Sequence, residues 1–159
     1  MTALLTELKA RARIRLNAAR RGDSAGADDL RLRDVLHEVS REVGFQHWEH
    51  ARRVLGGLAQ TGEDTGTFWH APRTGILLNE WFARPEQAFA ALQRQPRAYL
   101  LPYRRQFMVV QADFVQELGV DPLDGSWAQV GNDLVRGYAT PAWLKLAAQR
   151  IRAPRSTFA

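Results

Sequence analysis

Residues Leu32, Val35, Leu36, Val39 and Val43 are apolar at spacings of three and four, and Gly44-Phe45 follows them directly. That spacing lines one face of an α-helix. A glycine after the last apolar position fits a left-handed turn at no steric cost. The sequence therefore predicts a helix over about Leu30 to Val43, a tight turn, and a third helix over about Gln46 to Leu58 that buries Trp48, Ala51, Val54, Leu55 and Leu58. Upstream, Leu4, Leu8, Ala12, Leu16 and Ala19 form one apolar stripe on a helix from Ala3 to Arg21, with basic residues around much of the remainder. Gly22 to Asp29, "GDSAGADD", supplies breakers and carboxylates placed to cap the second helix. Residues 1–57 thus read as a three-helix unit.

The stretch Gly56 to Thr67 holds four glycines in twelve residues, which marks 58–67 as a Gly-rich loop and candidate internal boundary. Residues 68–159 mix element types. "GILLNEWF", Gly75 to Phe82, is apolar and strand-like, and Pro85 opens a helix through Gln93. "AYLLPYRRQFMVV", Ala98 to Val110, alternates as a strand in which Pro102 demands an edge or a break, with a helix from about Ala112 to Gly119. Trp127 to Val135 reads as a short helix. Thr140 and Pro141 open the last helix, which buries Trp143, Leu144, Ala147 and Ile151 and ends at Pro154. The predicted fold is α+β and predominantly helical, a three-helix unit packed on a helical part with a small antiparallel sheet. Trp48, Trp69, Trp81, Trp127 and Trp143 fall in nearly every element, which predicts a shared core with 56–67 as a loop across it.

A chain of 159 residues suffices for one domain. No stretch approaches the roughly 20 apolar residues that span a bilayer, so no membrane partner is expected. The N-terminal residues lack the apolar run of a signal peptide. Absence of cysteine excludes disulfides and thiolate metal sites and fits a reducing cytoplasm. The net charge is +5, and only Lys9 and Lys145 among the 22 bases are lysine. Arginine offers phosphate a planar fork, although 17 interspersed acids temper that inference.

"EVSREVGFQHW" resembles the helix–turn–helix of arabinose-regulator-type transcription factors on Val39, Ser40, Gly44 and Phe45. The resemblance implies that positions after the turn face bases and phosphate. Arg11, Arg15, Arg20, Arg52 and Arg53 would then contact phosphate, and Gln46 and His47 would reach base edges. Two departures oppose it: His50 stands where such a helix buries a residue, and Glu49 on the reading face repels phosphate. A second resemblance covers more of the chain. Leu8, Lys9, Ala12, Leu36, Val39, Gly44, Phe45 and Trp48 match the N-terminal helical segment of bacterial proteins labelled glyoxalase-related. "LNEWF", "AYLLPYRRQFMVV" and "LGVDPLDGSW" resemble a set of uncharacterised bacterial proteins. These likenesses imply a bacterial origin and bring no catalytic residue with them.

Familiar chemistries find little support. There is no GxSxG, no Gly-Lys-Ser/Thr loop and no HExxH. His47 and His50 share a helical face but lack a third ligand, so no metal and no cofactor is expected. His70 sits among Phe68, Trp69 and Pro72, where burial would shift its pKa. On one continuous strand Tyr103, Arg105 and Phe107 would share a face able to stack bases. Read together, the residues favour a non-enzymatic accessory protein that contacts nucleic acid through its N-terminal helices. The alternatives are a protein-interaction or dimerisation module, and an enzyme centred on His70.

Overall fold

A computed structural model describes residues 2–22 and 30–158. The cap expected from Gly22 to Asp29 lies largely outside the described residues. Helix α1 (Ala3–Arg21) starts at Thr2, whose hydroxyl accepts from Leu5 N, and buries Leu4, Leu5, Leu8, Ala12 and Leu16. Helix α2 (Leu32–Glu42) begins two residues later than its apolar pattern predicts, because the Asp34 carboxylate accepts from the Arg31 backbone N–H and makes Arg31 the cap. Helix α3 (Trp48–Leu55) is shorter than expected at both ends. His47 caps its start, and Gly56 and Gly57 end it, so Leu58 lies outside the helix at 65% exposure instead of in the core.

After the glycine loop, Pro72–Ile76 forms a 3-10 turn, and strand β1 is only Asn79–Phe82. The expected strand over Gly75–Phe82 is shortened because Pro72 fixes a helical φ at the start of that turn. Helix α4 (Pro85–Arg94) follows. The stretch read as one strand is a hairpin: β2 (Tyr99–Tyr103) and β3 (Gln106–Val110) pair antiparallel, with Tyr103 opposite Gln106 across a two-residue turn. Pro102 sits on β2, an outer strand of the order β1-β3-β2, where its missing donor breaks no ladder. The hairpin puts Tyr103 and Phe107 on opposite faces, because Phe107 stands opposite Pro102 and not Tyr103. The shared Tyr103–Arg105–Phe107 face of the sequence reading does not form.

Helix α5 (Ala112–Glu117) and helix α6 (Gly125–Gln129) complete the connection to α7 (Pro141–Arg152). The helix predicted to Val135 stops at Gln129, because Gly131 and Asn132 both adopt positive φ. The freed backbone then docks on the sheet edge: Leu100 N donates to Asn132 O at 2.8 Å and Leu134 N to Leu100 O at 3.0 Å. Asp133, buried there, accepts from the Val135 and Arg136 backbone N–H groups.

Two apolar clusters hold these elements. The larger one joins Leu8, Val39 and Leu55 of the first three helices to Trp69, Met108, Phe114, Trp127 and Trp143. The smaller one packs Ala88, Ala91 and Leu92 of α4 on Leu100, Phe107 and Val109 at the other sheet face. Four tryptophans are buried; Trp81, expected in the core, is 43% exposed. Among the described residues no helix is long and apolar enough to cross a membrane.

Candidate interaction surface

The turn between α2 and α3 is built as its residue types require. Gly44 adopts φ 98, Phe45 is buried, and buried Ser40 donates its hydroxyl hydrogen to Leu36 O at 2.7 Å. Beyond the turn, the residues expected to read bases are engaged. His47 Nδ1 accepts from His50 N at 3.1 Å, so this side chain caps a helix. Gln46 Nε2 donates to Asp64 Oδ2 at 3.1 Å, and the His50 ring contacts Asp64 O at 2.7 Å. Arg53 grips Glu63 with two donors, one of them Nε to Oε2 at 2.7 Å. The hydrogen bond from Arg53 holds the Glu63 carboxyl down to about 2. Glu63 and Asp64 of the glycine loop thus lie across one side of α3.

The remaining candidates fall into other sets. Arg15 meets Glu42 through two bonds of 2.7 and 2.8 Å, and Arg155 reaches the same carboxylate at 2.6 Å. The hydrogen bond from Arg15 lowers the Glu42 pKa, against the opposing pull of burial. Arg11 donates to Glu7 at 2.7 Å and to Ile151 O at 2.6 Å. Arg20 makes a 3.4 Å bond to Leu30 O. Arg52 lines a shallow depression with Lys9 and Trp48. Gln46 and Arg53 therefore meet through the loop, Arg11 and Arg15 are tied to carboxylates on α1 and α2, and Arg20 and Arg52 stand apart. No group of three or more potential metal ligands occurs among the described residues.

His70, the other candidate, is half-buried with its ring against Tyr103 at 5.1 Å and Phe114 at 6.3 Å. Burial lowers its pKa, and the Arg150 charge adds to that. Its ring partners are aromatic, which is the setting of a packing group.

A feature that sequence reasoning missed lies along β1. The outer side of this strand has no strand partner among the described residues. Ile76 and Leu78, just before it, are 93% and 80% exposed. Trp81, on the strand itself, is 43% exposed and lies edge-to-face on Tyr103 at 5.0 Å. Its orientation is fixed: Trp81 Nε1 donates to Asn79 Oδ1 at 2.6 Å, and Asn79 Nδ2 donates to Leu77 O at 2.8 Å. Glu80, the only charge between Gly75 and Phe82, accepts from Gln95 Nε2 at 2.6 Å. Open edges are usually blunted by charge, bulges or covering segments. Here a rigid tryptophan and two exposed aliphatic side chains accompany the edge, the make-up of a contact surface. The signal in the sequence was Leu77-Leu78 followed at once by Asn79-Glu80, which breaks the continuous apolar run of a strand buried on both faces.

No family model matches the chain, and neither the comparison with curated proteins nor that with solved structures found a match.

Proposed function

We propose that this protein is a non-enzymatic interaction module whose partner is a second copy of itself, joined antiparallel along the open edge of β1. The observation that carries the reading is the open edge of β1, with Trp81 half-exposed on the strand and Leu78 exposed immediately before it. Two copies related by a two-fold axis present the same strand to each other, which makes an antiparallel edge self-complementary. The axis stands perpendicular to the sheet, so each face continues into itself and opposed residues have equal parity. A register centred on Glu80 would set two carboxylates directly opposite and is disfavoured. Centring on Asn79 brings Trp81 against the second copy's Leu77, and centring on Trp81 brings the two indoles together. Either register buries aromatic area where the edge has least charge, which suits a chain of net charge +5 that repels its own kind elsewhere.

Light scattering across a micromolar concentration series tests the reading. A concentration-dependent dimer is expected for the unaltered chain, and monomers for Leu78→Lys and Trp81→Ala. Thermal unfolding of Leu78→Lys at high dilution should match that of the parent, since that side chain is 80% exposed, whereas Trp81→Ala also loses the Tyr103 contact and the bond to Asn79. A monomer at every concentration ends the proposal.

A further inference from the structure

A second site follows from a different set of observations and does not rest on the edge of β1. The hairpin turn between β2 and β3 is Arg104-Arg105, and Arg104 adopts φ 51. Two-residue hairpin turns at positive φ ordinarily take glycine or asparagine. The glycine loop holds Arg104 there: Thr65 N and Thr65 Oγ1 donate to Arg104 O at 3.0 and 3.2 Å, and Arg104 N donates to Gly66 O at 2.8 Å. The loop is itself anchored to the α2–α3 turn, where Thr67 N donates to Gly44 O at 2.8 Å. Three segments distant in sequence are thereby fixed around one cleft of about 410 Å³. Arg41 from the end of α2, Gln46 after the turn, Asp64 and Arg104 line it, over a floor that includes Phe45.

Two of the 20 arginines meet at this cleft, and neither holds a carboxylate among the described residues, a state shared by eleven others. Seven other arginines, Arg11, Arg15, Arg33, Arg53, Arg136, Arg152 and Arg155, hold a carboxylate. Arg41 and Arg104 line the cleft and hold no carboxylate among the described residues. The acid that shares the space, Asp64, spends its oxygens on Gly66 N at 2.8 Å and on Gln46 Nε2 at 3.1 Å. Two guanidinium groups against one occupied carboxylate leave the lining net positive by one charge. Planar guanidinium forks match a phosphate oxyanion with paired donors. The volume falls within the range of small-molecule sites and exceeds what a bare ion requires.

We propose that the cleft between Arg41 and Arg104 binds the phosphate group of a small phosphomonoester, with one guanidinium on each side of the oxyanion. The loop bonds fix the Arg104 backbone at the rim of the cleft, and its guanidinium carbon lies 5.6 Å from the centroid of the Tyr103 ring.

The test is a titration followed by amide signals in nitrogen–proton correlation spectra, using inorganic phosphate, adenosine monophosphate and adenosine as probes. Both phosphate-bearing probes are expected to shift the signals of Gly44, Gln46, Gly66 and Arg104 saturably, with adenosine leaving them unmoved. Equal affinity for the two would show that the phosphate group alone is recognised, and tighter binding of the nucleotide that the ester portion adds contacts. Arg41→Met and Arg104→Gly should each weaken binding roughly tenfold, the loss of a charge-assisted pair. Arg104→Gly keeps the turn, because glycine suits φ 51; Arg41→Met, at an exposed helix position, carries the test independently. Arg13→Met, which does not line the cleft, should change nothing. Absence of saturable shifts, equal shifts by adenosine, or equal weakening by Arg13→Met would overturn the site.

Discussion

Arg150 Nε donates to the carbonyl oxygen of Phe68 at 2.6 Å across 82 residues of sequence. The same guanidinium reaches Leu118 O at 2.7 Å, His70 O at 2.9 Å and both the hydroxyl and carbonyl of Thr157. Its central carbon, Cζ, lies 3.6 Å from the centroid of the Phe158 ring. Burial pushes its pKa down to about 9, so the group remains a cation at neutral pH. Four carbonyl oxygens and one hydroxyl, and no carboxylate among the described residues, supply its partners, and every donor nitrogen is used.

The first prediction follows from that geometry. Arg150→Met removes the cation and leaves the buried Phe68 and Leu118 carbonyls without it, at a cost of about 3–5 kcal/mol. Arg150→Lys should also destabilise, because one ammonium cannot span acceptors arranged for a planar fork. Urea unfolding of the two variants measures both losses, and a Lys variant as stable as the parent would contradict the geometric argument.

His70 predicts a pH dependence. Its folded pKa is lowered by burial and by Arg150, while the unfolded chain titrates near 6.5. As pH falls below that value the unfolded state takes up a proton first, so the stability present above pH 6.5 is lost as the pH falls through the folded value. Thermal midpoints measured from neutral to mildly acid pH should decline, and His70→Gln should flatten that decline.

Gly44 and Gly62 separate strain from collision. Both have positive φ, 98 and 94, but a Cβ on Gly44 would meet Phe68 N at 2.8 Å, whereas one on Gly62 meets nothing within 4 Å. Gly44→Ala should cost on the order of 2–3 kcal/mol and Gly62→Ala about 1. Equal losses would mean that conformation alone governs both positions.

The ion pairs at Arg11, Arg15 and Arg53 bear on nucleic acid. A guanidinium closed on Glu7, Glu42 or Glu63 must release that carboxylate before it can neutralise phosphate. Fluorescence anisotropy with duplex DNA should therefore show only weak association, even at low salt. Micromolar affinity that declines steeply with salt would restore these arginines as phosphate contacts.

Much of the fold was legible because its signals are local. The apolar face of α2, the Thr140-Pro141 start of α7 and the Gly44 turn rest on spacing and backbone preference within a few residues. The misreadings share one cause. Leu58, Trp81 and the 98–110 hairpin depend on which distant segment lies alongside, and an alternating pattern cannot tell one strand from two that fold back at Arg104-Arg105. The candidate arginines are visible in the order of residues, while the carboxylates that Arg11 and Arg15 meet lie 4 and 27 residues away.

Periodicity and capping act over one or two turns, so the helical segments could be read from the order of residues. Which charges cancel, which apolar residues stay in water and which arginines meet at a cleft was set by how distant segments pack together. Those outcomes depend on separations of a few ångströms between side chains that the order of residues does not encode directly, and Coulomb energy and burial respond to such distances alone.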